Sequence, residues 1–157
     1  MNVVIIKAQR ADLEEILALQ KLCYITEAER YNDFTIPPLV QTLDELLEEY
    51  AGSIILKCVY GNRIIGSVKG TMDGHTCHLG RLMVHPDYRG RGYARALMTE
   101  LETIAFTANR IRRIELFTGE QSTKNIRLYE SLGYNRIRTE PSESGIRLVY
   151  MEKTRGD

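Results

Sequence analysis

The chain has 157 residues, 43% hydrophobic and 27% charged, proportions of an ordinary folded domain that exclude a disordered, collagen-like or coiled-coil polypeptide. Its 21 lysines and arginines balance 21 aspartates and glutamates, so no net charge advertises nucleic acid or an anionic membrane as a partner. Cys23, Cys58 and Cys77 form no CxxC pair, which argues against a disulfide framework or a cysteine zinc site and predicts a reducing, cytoplasmic setting. The length suits one domain over residues 1–157, and the N-terminal apolar run from Val3 to Ile6 is too short for a signal peptide or a membrane span.

In chain order, the β-branched run 3–6 predicts a first strand. Leu13, Ile16, Leu17, Leu19, Leu22 and Cys23 recur mostly at spacings of three and four, which predicts an amphipathic helix ending near Cys23. Residues 24–38 are polar and aromatic, and Pro37-Pro38 cannot continue a helix, so a loop or broken helix is expected there. A second helix follows over about 39–50, stopped by Gly52. Runs 53–60, 63–73 and 76–84 read as three strands joined by hairpins at Gly61-Asn62 and Asp73-Gly74. The clearest helical stripe comes next, on Ala94, Leu97, Met98, Leu101, Ile104 and Ala105. A strand over 111–118, a fourth helix over 123–132 closed by Gly133, and an antiparallel pair over 134–139 and 146–153 complete the order. Hairpins together with one strand-helix-strand crossover predict an α/β (α+β) fold: a mixed sheet of about seven strands with helices on both faces.

The segment Leu79-Gly80-Arg81-Leu82-Met83-Val84-His85-Pro86-Asp87-Tyr88-Arg89-Gly90-Arg91-Gly92-Tyr93-Ala94 carries the chemistry. A strand enters a glycine-rich loop, and the loop opens the third helix. Main-chain amides at such a start lack internal partners and stand at the positive end of the helix dipole, which suits a phosphate or pyrophosphate. Gly90 and Gly92 allow close approach, while Arg89, Arg91 and Arg95 add charge. A P-loop would need a lysine that is absent here, and a dinucleotide fingerprint would need a small residue at Arg95. The pattern R/Q-x-x-G-x-G/A is matched by Arg89, Gly92 and Ala94.

On these residues the sequence resembles the GNAT superfamily of acetyl-CoA-dependent N-acetyltransferases. Val84-x-Pro86-x-x-Arg89-Gly90-x-Gly92-x-Ala94-x-x-Leu97-Met98 is similar to its central motif, and Asn125-x-x-x-Tyr129-x-x-x-Gly133-Tyr134 to its C-terminal one. The resemblance implies a single acetyltransferase domain with mostly antiparallel strands, a splayed central pair and four helices. It implies that Gly90, Arg91, Gly92, Tyr93, Ala94 and Arg95, with Arg89, hold the CoA pyrophosphate. The strand ending in Leu82, Met83 and Val84 would carry a bulge near Leu82, whose unpaired amides bond pantetheine and polarise the thioester carbonyl. Asn125 would contact the pantetheine, and Tyr129 would lie near the sulfur. Acetyl-CoA enters as co-substrate, and no metal is expected.

Acyl transfer to an amine needs two proton movements. An alkylammonium, with a reference pKa of about 10.4, must lose a proton before attack, and the departing thiolate must be protonated or stabilised. Tyr129 is the candidate acid. Many family members carry a glutamate six residues before the end of the central strand, where this chain has His78, so His78 is the candidate base; Glu27, Glu29, Glu115 and a water-borne base stay open. Tyr24, Glu27 and Glu29 lie in a region that in the family lines the acceptor site, an acidic and aromatic lining suited to a cationic amine. His75, Cys77 and His78 do not make a metal cluster, because strand alternation turns His78 away from the other two. His85 is expected at the surface, and the cluster Arg110, Arg112 and Arg113 reads as a solvated turn. A homodimer is compatible with the resemblance. A catalytically silent acyl-CoA-binding sensor remains the alternative.

The charge balance is uneven along the chain. Residues 27–49 hold seven acids against one base, and residues 89–113 hold six arginines against two glutamates. This distribution predicts a basic segment facing an anionic cofactor and an acidic one nearer the acceptor.

Overall fold

The computed structural model describes residues 2–156; Met1 and Asp157, the ends of the expected domain, lie outside the described residues. Seven strands form one sheet in the order β1-β2-β3-β4-β5-β7-β6. They are β1 (Val4–Lys7), β2 (Ser53–Tyr60), β3 (Arg63–Asp73), β4 (Thr76–Val84), β5 (Arg113–Gly119), β6 (Asn135–Pro141) and β7 (Arg147–Thr154). The hairpins at Gly61 and Gly74 form as expected, each glycine at a positive φ (62° and 61°) that costs a side-chain-bearing residue energy. All neighbours pair antiparallel except β4 and β5, which run parallel and are joined through a crossover helix.

Six α-helices occur among the described residues: α1 (Leu13–Cys23), α2 (Ile25–Tyr31), α3 (Pro37–Val40), α4 (Leu43–Tyr50), α5 (Tyr93–Thr107) and α6 (Thr123–Ser131). The four helices expected from the sequence form as α1, α4, α5 and α6, and the two others fall where a loop or broken helix was expected. Stretch 24–38 holds α2 and the start of α3, and Pro37-Pro38 begins a helix instead of only ending one. Proline fits there because the first helical amides have no internal acceptor. α4 starts at Thr42, where a capping box closes: Glu45 N donates to Thr42 Oγ1 at 3.2 Å and Thr42 N to Glu45 Oε1 at 2.8 Å.

The helices sort onto the two sheet faces by their apolar stripes. α5 sets Leu97, Met98, Leu101 and Ala105 against Leu56, Val68, Cys77 and Ile114, and α6 adds Ile126 and Tyr129 to the same cluster. Full burial of Leu97, Met98 and Leu101 stabilises the docking by roughly 1.5–3 kcal/mol per side chain. On the opposite face α1 and α4 bury Leu13, Ile16, Leu19 and Leu46 against Ile55, Ile64 and Met83. His85, expected at the surface, is buried: its Nδ1 accepts from Asp87 N at 3.1 Å, its Nε2 lies 2.9 Å from Arg63 Nη2, and Tyr88 packs edge-on to it. Among the described residues no helix is long and apolar enough to cross a membrane.

Candidate functional site: the β4–β5 gap

β4 and β5 pair over only three residues, Thr76 with Arg113, Cys77 with Ile114 and His78 with Glu115. Beyond them the strands separate, while β5 stays paired with β7 as far as Gly119 with Leu148. The cause lies in β4. Ser67 opposes Met83 but Lys69 opposes Gly80, so Val68 faces two residues, Arg81 and Leu82, across a bulge. Arg81 takes the left-handed conformation there, with φ at +53°. A side-chain-bearing residue in that region costs about 1–2 kcal/mol, a strain that marks functional segments. The expected bulge near Leu82 is present, and its strained member is Arg81, which no sequence pattern singled out.

At one end of the gap stands the start of α5. Gly90 (φ 79°) and Gly92 (φ 83°) both take positive φ, and a Cβ built on either would meet nothing within 4 Å. The N-cap Gly92 offers no side chain to the first amides of α5, at Tyr93, Ala94 and Arg95, which leaves them without a capping partner and suited to an anion. The neighbouring arginines are arranged unequally. Arg89 turns inward, its Nε donating to Val84 O at 3.0 Å and its Nη2 to Cys23 O at 3.5 Å, so it braces β4 against α1. Arg91 lies over the Tyr88 ring at 5.2 Å, and Arg95 donates to Ser131 Oγ at 2.8 Å. All three remain exposed, but only Arg89 is tied to main-chain carbonyls.

After β5, α6 carries Asn125 and Tyr129 one turn apart on one side of the helix. Tyr129 is 6% exposed, and its ring meets Tyr134 edge-on with centroids 6.2 Å apart. Burial, reinforced by the nearby Tyr24 and Glu27, raises the pKa of its phenol above the ordinary value, so it stays a neutral proton donor at physiological pH. Tyr24, just after α1, donates its hydroxyl to Leu82 O at 3.4 Å; burial, partly offset by Arg81, pushes its pKa up to about 12. Tyr24, Tyr129 and the bulge thus converge.

Glu27 reaches this group from α2. It accepts from Ser122 Oγ at 2.8 Å and pairs with Arg30 at 2.5 Å. Tyr31, one turn further, bonds Ser122 Oγ and accepts from Gln121 N, both at 2.9 Å, tying α2 to the loop between β5 and α6. Glu29 stands exposed on α2, apart from the cluster. His78 is on β4 with its side chain 49% exposed, about 13 Å along the strand from Leu82 at 3.3 Å per residue, and its Nε2 lies 3.9 Å from Asp73 Oδ2. Its neighbour Glu115 is buried between the guanidinium groups of Arg113 and Arg138, and Arg113 also pairs with Glu152. Arg113 is thus part of an ion-pair network, in contrast to the solvated turn expected for it. Among the described residues no three histidine, cysteine or acidic side chains gather in a way that would hold a metal ion.

The acidic stretch 27–49 is largely engaged within the protein. Asp33 caps Thr35 (2.8 Å to its amide), Glu45 closes the box on Thr42, and Glu49 pairs with Lys69 at 2.7 Å. Its charge therefore contributes less to the acceptor side than the sequence count suggested.

A model of the acetyltransferase (GNAT) family matches residues 13–134. An acetyltransferase of Yersinia pestis is 32% identical over 126 residues, 80% of this chain and 83% of that protein. The chain belongs to the GNAT acetyltransferase family. A relative from Pectobacterium atrosepticum, also named an acetyltransferase, is 38% identical over 84 residues, 54% of this chain and 59% of its own. Solved GNAT structures share the fold at low identity. The PaiA N-acetyltransferase of Thermoplasma acidophilum, in complex with coenzyme A, superposes with a TM-score of 0.80 at 18% identity over 99% of this chain and 100% of that one. The ribosomal-protein-S18-alanine N-acetyltransferase of Escherichia coli gives 0.80 at 16% identity over 98% and 94%. The spermidine N-acetyltransferase of Vibrio cholerae, bound to CoA and spermine, gives 0.75 at 18% over 97% and 95%. In GNAT terms, the parallel β4–β5 pair, the bulge and the α5 start form the splayed centre of the fold.

Proposed function

We propose that this GNAT protein transfers the acetyl group of acetyl-CoA to a primary amine by direct attack within a ternary complex. The observation that carries the reading is the β4–β5 gap itself, with the uncapped start of α5 after Gly92 at one end and the buried, protonated phenol of Tyr129 on α6. Amides of Tyr93, Ala94 and Arg95 hold the pyrophosphate, with Arg91 and Arg95 adding charge. Arg89 acts indirectly, by fixing the loop on Val84 and Cys23. Main-chain groups of Leu82, Met83 and Val84, left without a β5 partner, bond the pantetheine and the thioester oxygen, and Asn125 holds the pantetheine from α6.

The amine nitrogen forms the new bond to the acetyl carbon, the carbon–sulfur bond breaks, and Tyr129 gives its proton to the departing thiolate. The amine loses a proton in exchange. His78, about 13 Å along β4 from Leu82 at 3.3 Å per residue, accepts it through water. Tyr24 and Glu27 line the acceptor side, and Glu29, facing outward, contacts acceptors that extend beyond it. The three cysteines, free and buried, suit a cytoplasmic setting.

Calorimetric titration with acetyl-CoA tests the binding half, which predicts one saturable site. No saturable heat at millimolar ligand would sink it. Saturable binding without turnover on any amine would favour a silent acyl-CoA sensor.

A further inference from the structure

The mechanism above leaves one residue of the bulge unused. Arg81 Nε is fully buried and has no hydrogen-bond partner, the sole buried side-chain polar atom in that state among the described residues. Nor does Arg81 contribute to any ion pair or side-chain hydrogen bond formed among them. An unpaired charged donor shielded from water is costly, and here it sits on a residue already strained at φ +53°. Two unfavourable features on one residue, inside the element that opens the cleft, point to a partner supplied by a ligand.

The surroundings define that partner. Arg81 lies within electrostatic reach of Tyr24 at the end of α1 and of Glu49 on α4, which places its charge on the face covered by those helices. Glu49 makes no ion pair with Arg81 among the described residues and instead pairs through Oε1 with Lys69 at 2.7 Å. Next to Arg81, a Cβ on Gly80 would meet nothing within 4 Å, so the strand is bare there. Lys69 and Thr71, directly opposite Gly80 and His78, line a concavity of about 330 Å³ on the same face together with Glu48, Glu49, Gly52 and Ser53. Arg81 is not itself part of that lining, but a planar guanidinium with unpaired donors on a neighbouring residue of the strand matches a carboxylate through paired, charge-assisted bonds.

We infer that Arg81 is a specificity residue that binds a carboxylate of the acceptor, so that the preferred substrate is an amine that also carries a carboxylate, of the amino-acid class. This rests on the amine-acetyltransferase reading above. The ammonium end of such a zwitterion lies towards Tyr24 and Glu27, and the carboxylate end lies at Arg81. The acidic lining and the buried arginine then serve the two ends of one molecule.

The test compares each amino acid with its carboxamide as acceptor, reading thiol release. Wild type should show a KM roughly 10- to 100-fold lower for the carboxylate form. In Arg81→Gly, which adopts the positive φ without strain, the ratio should fall towards one, and Arg81→Lys should keep part of it. Independently, the Arg81 Nε–H NMR resonance, assigned by its loss in Arg81→Lys, should shift saturably with sodium propionate and not with propionamide, with or without CoA. Equal KM values in wild type, or a preference that survives Arg81→Gly, would overturn the inference. Thiol release with a propionate-insensitive resonance would also overturn it while leaving acetyl transfer intact. A propionate-sensitive resonance in a protein that releases no thiol would instead retain the carboxylate site and remove the transferase reading.

Discussion

Replacing Gly119 by alanine is a sharp test of how the acceptor side is built. Gly119 ends β5, and a Cβ placed on it overlaps the phenol oxygen and Cζ of Tyr31 and lies 2.8 Å from Cε2. The β5–β7 pairing, which includes Gly119 with Leu148, holds the backbone, so the ring must leave. Tyr31 then loses its bonds to Ser122 Oγ and Gln121 N, each 2.9 Å. At about 1 kcal/mol net per hydrogen bond this costs about 2 kcal/mol, and accommodating the methyl in place costs a similar 1–3 kcal/mol. For a chain of this size the melting temperature should fall by about 4–8 °C. Differential scanning calorimetry of the four-member cycle with Tyr31→Ala separates the causes. If Tyr31 is the obstacle, Gly119→Ala should be neutral within about 0.5 kcal/mol in the Tyr31→Ala background. An unchanged penalty there would refute the reasoning and assign the cost to the strand itself.

Other substitutions probe the remaining parts. Tyr129→Phe should lower kcat by about 100- to 10,000-fold while leaving acetyl-CoA affinity within about twofold, checked by thiol release and calorimetry; undiminished turnover would remove Tyr129 as the acid. Gly92→Glu puts a carboxylate into the open nest at φ 83° and should abolish acetyl-CoA binding, which calorimetry reads directly. Lys69→Met bears on acid stability. Burial alone would raise the Glu49 carboxyl, but the hydrogen bonds from Lys69 and Gln41 and the Lys69 charge outweigh it and hold its pKa below the ordinary 4.5. That contribution is present above about pH 4.5 and is lost as pH falls through the lower folded value. Urea midpoints measured from about pH 6 to about pH 3 should therefore drop less steeply in Lys69→Met than in wild type.

The strands from Ser53 to Val84 and the stripe of α5 were legible because apolar alternation and three-four spacing are local signals, and glycines at Gly61, Gly74, Gly90 and Gly92 sit where positive φ is needed. α2 was not legible. Its seven residues show no strong periodicity, and its position comes from Tyr31 and Glu27 reaching residues about 90 positions away. The bulge location was inferred from resemblance, but the residue bearing the strain was hidden because arginine carries no preference for left-handed backbone. Arg89 could be matched to a motif without revealing that its guanidinium faces Val84 and Cys23. His85, in a variable position of the motif, gave no sign of its contact with Arg63, a residue on β3. Ion pairing between strands, as of Glu115 on β5 with Arg138 on β6, leaves no trace in spacing.

The most direct test of the account is a two-substrate assay with acetyl-CoA and a panel of primary amines, amino acids and polyamines included, in which free thiol and acetylated amine are quantified together. Acetyl transfer in a ternary complex predicts amine-dependent thiol release matched one for one by N-acetylated product, and its near-complete loss in Tyr129→Phe. Thiol release without acetylated amine, or no release with any amine from a protein that binds acetyl-CoA, would contradict it.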